Sequence, residues 1–340
     1  MAQQKTRSGC LVAIIVGGII LAVGVALTAA FLFMGVRSIG IGVREWNAKS
    51  DEGGVDEYPN LEKTWSYGEG DTPVVRIPIY GVLTRTASGG ILGEVSDPVG
   101  DVLACIQDAT KDEEVMAIIL EVDSPGGEVT ASDVIYRALL KFKQAKKGRK
   151  VVALFEDVAA SGAYYIAMAA DHIVAQPTTI TGSIGVLIST MNFKGLGDKL
   201  GVEDVTIKSG ANKDMLNPLR TITPEERAII QGVVDDTYAR FVSLVVKGRE
   251  LPEATVRELA DGRIMTARQA LEAQLVDSIG YWDDAVKVAG DLMDLPAVKV
   301  YKYEPQRSIW DFLKVSSGSA EQLKRLLEPR PAKLMYLWNS

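Results

Sequence analysis

The 340-residue chain is poor in the residues that build most metal and redox sites: it has two cysteines, Cys10 and Cys105, and a single histidine, His172. Two cysteines cannot form a disulfide framework or a CxxC-type zinc site. One imidazole leaves no HExxH pair, so neither a metal nor a cofactor is expected. Positive charge is also short, with 37 Lys and Arg against 44 Asp and Glu and a net charge of -7. Phosphate neutralisation by basic surface supplies most nucleic-acid affinity, so no DNA or RNA partner is expected. The chain contains no GxxxxGK[ST] phosphate loop, no SxxK pair and no GxSxG elbow. Gly195, Gly197 and Gly201 miss the dinucleotide-binding spacing by one residue. What remains is ordinary globular composition, 47% hydrophobic and 24% charged, which excludes a disordered or collagen-like chain.

Charge is absent between Arg7 and Arg37, and residues 10–36 are almost continuously apolar, a run longer than the roughly 20 residues that span a bilayer. A transmembrane helix is expected there. A cleavable signal peptide is the rival reading, but its apolar region runs only ~7 to 15 residues. The tail before it, residues 1–9, carries Lys5 and Arg7 and is too short to hold a domain. The expected arrangement is therefore a signal-anchor in contact with membrane lipid, with the bulk of the chain translocated. Residues 37–71 gather Gly and acid with little periodicity, which is linker chemistry. The main domain is expected over 72–305, followed by amphipathic segments and an apolar tail over 306–340.

Within that domain, β-branched apolar runs at 74–83 and 115–122 flank a stretch with helical spacing at 98–110. A helix is expected over 130–147 and a strand over 150–155, with further strands at 172–175, 183–188, 205–208 and 263–265. Thr223-Pro224-Glu225-Glu226 opens the longest helix, with Thr as N-cap, Pro at the first position and Glu at the third, and Gly248 as its stop. Residues 251–292 read as helix-rich. Alternation of strand and helix predicts a layered α/β fold.

Three glycine-bearing turns stand out. Asp123-Ser124-Pro125-Gly126-Gly127 follows a strand, and glycines there let backbone N–H groups approach a ligand. Ala159-Ala160-Ser161-Gly162-Ala163 sets a serine between small residues where a helix begins, the logic of a nucleophile elbow. Thr181-Gly182-Ser183-Ile184-Gly185-Val186 is the third. His172 begins an apolar strand and reads as structural. With no second histidine, a hydrolase of this composition would more plausibly use a lysine as base, one whose charged form is destabilised by burial. Ser161 could instead be a helix cap, Lys213 a solvated lysine, and Ser183 a turn residue. Asp123 and Glu156 read as capping or surface groups at strand ends.

Taken in order, DSPGG, AASGAYYIAMAAD, TGSIGV, IKSGANKDML and ADGRIMTARQALEAQLVD give the chain a pattern that resembles the bacterial signal peptide peptidase A family. These are membrane-anchored Ser/Lys proteases with a fold related to Clp protease and crotonase. The resemblance runs from about residue 74 to 282 and implies an α/β, Clp protease/crotonase-like layered fold behind one N-terminal transmembrane helix. It implies Ser161 as nucleophile, Lys213 as base, Ser183 as the residue that orients the lysine amine, and Gly127 and Gly162 as oxyanion donors. It also implies a homo-oligomeric ring in which neighbouring subunits share a site, peptide substrates such as signal-peptide remnants, and a bacterial single-pass protein with its catalytic domain outside the cytoplasm. Glu128 and Ala163 stand where the family often has glycine, and their side chains would narrow the cleft. A non-catalytic membrane scaffold and a crotonase-like acyl-CoA enzyme are the rival functions. The apolar end, residues 333–340, reads either as a packed terminal segment or as a mimic of an apolar peptide substrate that occupies, or is trimmed by, the active site.

Overall fold

The computed structural model describes residues 61–85, 97–305 and 335–337. The expected membrane span at 10–36, the N-terminal tail and most of the expected linker lie outside them. Among the described residues no helix is long and apolar enough to cross a membrane.

A nine-stranded sheet forms the centre of the unit. Its main path runs β1 (Leu61–Tyr67), β10 (Lys299–Pro305), β2 (Pro73–Tyr80), β3 (Ala117–Ser124), β5 (Lys150–Ala160), β6 (His172–Ala175) and β9 (Ser278–Ile279). Every pairing from β10 to β9 is parallel, and only β1 at the edge is antiparallel. The expectation of a layered α/β fold agrees with this sheet. Parallel strands covered on both faces are apolar throughout rather than alternating, and β3 shows it. Ile118, Leu120 and Val122 join the larger core, while Ala117 and Ile119 join a smaller one on the other face.

The larger core is closed by α1 (Pro98–Lys111) and α2 (Val129–Ala145) through Val99, Val102, Ile106, Ile135, Leu139 and Phe142. These positions recur at three- and four-residue spacing, which places them on one helical stripe. Asp97 caps α1 by accepting from Gly100 N at 2.9 Å, with Pro98 in the first turn where no N–H is needed. The smaller core is closed by α8 (Trp282–Asp291) through Ala285 and Ala289. The longest helix among the described residues, α5 (Pro224–Arg249), has the expected capping box, Thr223 with Glu226. It passes Gly248 and stops at Glu250, which takes the left-handed conformation at φ 53°.

β5 forks the sheet. Its first half pairs with β6 over Val152 to Phe155, and its second half with β7 (Ile180–Gly182) over Val158 to Ala160. At the fork, Thr179 Oγ1 donates to the Phe155 and Glu156 carbonyls, and Asp123 Oδ1 accepts from Val158 N at 3.1 Å. β7 in turn pairs antiparallel with β8 (Ile264–Thr266). A second, two-stranded sheet joins β4 (Gly126–Glu128) to β11 (Met335–Leu337).

Three expectations need correction. Residues 183–188 are not a strand: β7 ends at Gly182, and only Leu187 makes a bridge, to Met335. Residues 205–208 are not a strand either. Their alternation is present, but Val205 is 82% and Ile207 98% exposed, with no sheet edge beside them among the described residues. Leu61–Tyr67, inside the stretch expected to be linker, form the edge strand β1. An edge strand exposed on one face carries no continuous apolar run for a sequence reading to find.

Candidate active site

Ser161 ends β5 and opens α3 (Gly162–Ala167), in a conformation that L-residues rarely adopt, φ 56° and ψ −117°. Such a backbone costs of order 1–3 kcal/mol and persists only where its surroundings fix it. They do so here: Ser161 N donates to Gly182 O and Ser161 O accepts from Tyr165 N, both at 2.9 Å. The small neighbours demanded by the sequence have a steric reason. A Cβ on Gly162 would stand 2.4 Å from Ser132 Oγ and 3.1 Å from Gly127 N. Ser161 is only 1% exposed, yet it lines a cleft of about 400 Å³.

Ser183 lines the same cleft. It too has a positive φ, 50°, pinned by its N–H donating to Arg263 O at 2.7 Å. The opposite wall comes from α5, through Val234, Asp235 and Tyr238, and from Ala260 to Gly262. Of the residues singled out in the sequence, Ser161 and Ser183 thus share one cleft, and Gly162 and Gly127 lie side by side next to it. Lys213 is not there. It sits in an exposed turn, and no lysine is among the described side chains that line the cleft.

The remaining wall is β11, from the far end of the chain. β4 is bracketed by Leu83 on one side, where Glu128 N donates to Leu83 O at 2.7 Å, and by β11 on the other. Met335, Tyr336 and Leu337 pair antiparallel with Glu128, Gly127 and Gly126. Leu187 and Met335 exchange N–H···O bonds of 3.1 Å across the cleft. The tail is thus a strand added between two edges, the mode in which an extended peptide binds a sheet. Its main chain comes close to the glycines. The Tyr336 carbonyl oxygen would lie 2.2 Å from a Cβ on Gly126 and 3.1 Å from one on Gly162.

Tyr336 is fully buried. Its ring stacks on Tyr165 at 5.0 Å and meets Phe241 at 4.8 Å, and its hydroxyl donates to Thr237 O at 3.1 Å. Tyr165 is held from behind: it donates to Asp133 Oδ1 at 2.6 Å and accepts from Arg240 Nε at 2.9 Å. Burial, followed by the Asp133 hydrogen bond, drives the Tyr165 phenol well above its ordinary range, so it stays protonated. Sequence reasoning missed this aromatic pocket. Its only signal was the doubled Tyr164-Tyr165 after the serine, and Phe241, Thr237 and Arg240 lie more than seventy residues further on, on α5.

His172 is not part of the site. Its Nε2 meets Ser278 Oγ at 2.9 Å between β6 and β9, and burial lowers its pKa.

A model of peptidase family S49 matches residues 143–296, which include Ser161, Ser183 and Lys213 and begin after Gly127. An Enterococcus faecium protein provisionally named signal peptide peptidase SppA is 40% identical over 225 residues, 66% of this chain and 65% of that protein. A Synechocystis protein provisionally named a protease is 46% identical over 190 residues, 56% of this chain and 68% of that protein. Protease 4 of Salmonella typhi is 31% identical over 263 residues, and the chain spans 42% of its length. The family model covers the chain from the last turn of α2 through α8, and the Synechocystis match extends over most of that relative. On that footing the chain that carries the Ser161 elbow belongs to peptidase family S49, the SppA family.

Proposed function

We propose that the protein is a serine endopeptidase of the signal peptide peptidase type, with Ser161 as nucleophile and Lys213 as general base. The observation that carries this reading is β11: an extended main chain lies against β4, with a carbonyl beside Gly126 and Gly162 and with Ser161 in the same cleft. A scissile peptide laid along the same path would have the nucleophile and the glycine amides close to its carbonyls, as the reaction requires.

In this mechanism Ser161 Oγ attacks the substrate carbonyl carbon and its proton passes to Lys213 Nζ. The amides of Gly127 and Gly162 hold the oxyanion. When the C–N bond breaks, Lys213 gives its proton to the leaving amine, and an acyl ester on Ser161 remains. Water then attacks that ester, its proton moves to Lys213, the C–O bond breaks and the proton returns to Ser161. Ser183 orients the lysine amine. A lysine serves as base only where its charged form is disfavoured, in a dry site or beside another cation.

No lysine is among the described residues that line the cleft, which supports a base supplied by a second copy. The segment from Thr190 to Ile207 exposes Met191, Leu196, Leu200, Val202, Val205 and Ile207, an apolar patch suited to a partner. The assembly is a homo-oligomeric ring of Clp protease/crotonase-like subunits. Residues 10–36 anchor each subunit in a bacterial membrane as one span, after a basic tail at 1–9, with the 72–305 domain on the extracytoplasmic side of the 37–71 linker. Substrates are remnant signal peptides and other short or unfolded apolar peptides, no metal or cofactor takes part, and residues 306–340 supply a tail that occupies the cleft as a peptide would.

The test is peptidase activity of the full chain in detergent on an apolar fluorogenic peptide, for wild type, Ser161→Ala and Lys213→Ala, with assembly size recorded. Loss of at least about a thousandfold in both variants, with the assembly intact, is the expected result. Activity kept by either variant removes that residue's role, and an assembled but inert wild type favours the scaffold. Intact mass tests the tail: a shortened C-terminus in wild type but not in Ser161→Ala is expected if the site trims it.

A further inference from the structure

The turn that carries Lys213 belongs to no strand or helix, yet it is held firmly. Arg220 Nε and Nη2 reach the two carboxylate oxygens of Asp214, the next residue, each at 2.9 Å, and Nη2 also reaches the Asp214 carbonyl at 2.9 Å. The same guanidinium bonds Glu226, through Nη1 to Oε2 at 2.8 Å and through Nη2 to Oε1. Lys208 Nζ closes the turn from the other side, on Asp214 Oδ1 at 2.6 Å and Ala211 O at 3.0 Å. Glu226 is buried and completes the capping box by accepting from Thr223 N at 2.9 Å. Lys213 is thereby tied to the first turn of α5, the helix whose later turns line the chain's own Ser161 cleft.

The chemistry of the clasp fits positioning. Two cations, Lys208 and Arg220, meet two carboxylates, Asp214 and Glu226, so it leaves no net charge beside the base. A guanidinium is a planar fork with five donors that can bridge two carboxylates and a carbonyl together, which an ammonium cannot reproduce. Both carboxyls are held low, Glu226 at about 2, so the clasp stays ionised at neutral pH.

We propose that Arg220 is a positioning residue for the base: by joining Asp214 to Glu226 it fixes the reach of Lys213 into the Ser161 cleft of a second copy of the chain. This rests on the reading that Ser161 and Lys213 form one site across two copies, and the experiment separates the two claims. Variants Ser161→Ala, Lys213→Ala and Arg220→Ala are co-expressed in pairs, and the mixed assemblies are assayed for peptidase activity and for labelling of Ser161 by a fluorophosphonate.

Ser161→Ala with Lys213→Ala is expected to regain about a quarter of wild-type activity, the share of interfaces that pair an intact serine with an intact lysine in a random cyclic assembly. Arg220→Ala alone is expected to lose about 100-fold in kcat with KM unchanged, as for a displaced base. It should be rescued by Ser161→Ala and not by Lys213→Ala, because its defect lies in the lysine-donating arm. A merely structural arginine has no such polarity.

Rescue by both partners, rescue by neither, or wild-type kcat in Arg220→Ala overturns the role of Arg220 and leaves the shared site standing. Failure of Ser161→Ala and Lys213→Ala to complement, with each assembled, overturns the shared site and the proposal with it. Should Arg220→Ala fail to assemble, Glu226→Gln severs the ionic half of the clasp, and the same pairings decide the question.

Discussion

The serine and lysine ends of the candidate dyad are built in opposite ways. Ser161 stands where a central strand meets a helix, almost fully buried, with both backbone bonds to its neighbours made and with glycines cut to the size of the gap. Lys213 stands in an arm over residues 189–222 whose one regular element is the short helix α4 (Lys194–Leu200) and which turns Met191, Leu196, Leu200, Val202, Val205 and Ile207 outward. The first end gets its geometry from close packing. The second gets it from ion pairs and, in the proposed assembly, meets its serine on another subunit. A strained nucleophile needs a rigid frame made once during folding, whereas a base brought across an interface needs a stiff but accessible support.

The sharpest way to separate the two ends is to remove one apolar side chain from each. Phe155→Ala empties a buried position on β5 beside Tyr164, and a loss of about 3–5 kcal/mol is expected from denaturant unfolding. Ile207→Asp removes a side chain that is 98% exposed and should change stability by no more than about 0.5 kcal/mol. Sedimentation of Ile207→Asp should nonetheless show dissociated subunits, with peptidase activity gone. An Ile207→Asp protein that still assembles would mean that the arm is not the contact surface, and the contrast between the two ends would fail.

A smaller effect probes the serine end alone. Gly126 has φ +97°, and a Cβ there would fall 2.2 Å from the Tyr336 carbonyl and 2.6 Å from Gly162 N. Gly126→Ala therefore strains the backbone, by about 1–3 kcal/mol, and pushes β11 off β4. The expected outcome is a lower melting temperature with Tyr336 newly accessible to chemical modification. An unchanged Tyr336 would show that the groove gives way more easily than its contacts indicate.

The same division explains what a sequence reader can and cannot find. β2, β3, β5 and their helices are continuous apolar runs or regular stripes, and the cap of α5 is three residues with one mechanical purpose, so local chemistry names them. Ser161 was legible because only small residues fit on either side of an elbow. β4 and β11 were not legible as a pair: each has three residues, and nothing in Gly126 to Glu128 points to a partner two hundred residues away. The alternation of Val205 and Ile207 was real but was assigned to a strand, since exposed alternation and half-buried alternation are identical in sequence. The Arg220 clasp left no signal because nothing in the sequence links Lys208, Asp214 and Arg220 to one another, and Glu226 reads there only as part of the α5 cap.

The last contrast is in pH. The Arg220 hydrogen bonds, then the Thr223 amide, hold the Glu226 carboxyl at about 2 against an ordinary 4.5. A carboxyl whose folded pKa is depressed contributes stability that is full above its unfolded value and is lost as pH falls through the folded one. The arm should therefore loosen between about pH 4.5 and 2. The buried strands around Ser161 should outlast it, because apolar burial and parallel ladder hydrogen bonds hold them. Amide hydrogen exchange, corrected for its intrinsic pH dependence, should show residues 208–222 losing protection across that window while Ala153 and Leu154 keep theirs. Glu226→Gln removes the titrating group, so its arm should exchange faster at neutral pH and show a flatter profile below pH 4.5. If wild type and Glu226→Gln follow the same curve, the clasp contributes nothing to holding the turn, and the lysine end must owe its order to the neighbouring subunit alone.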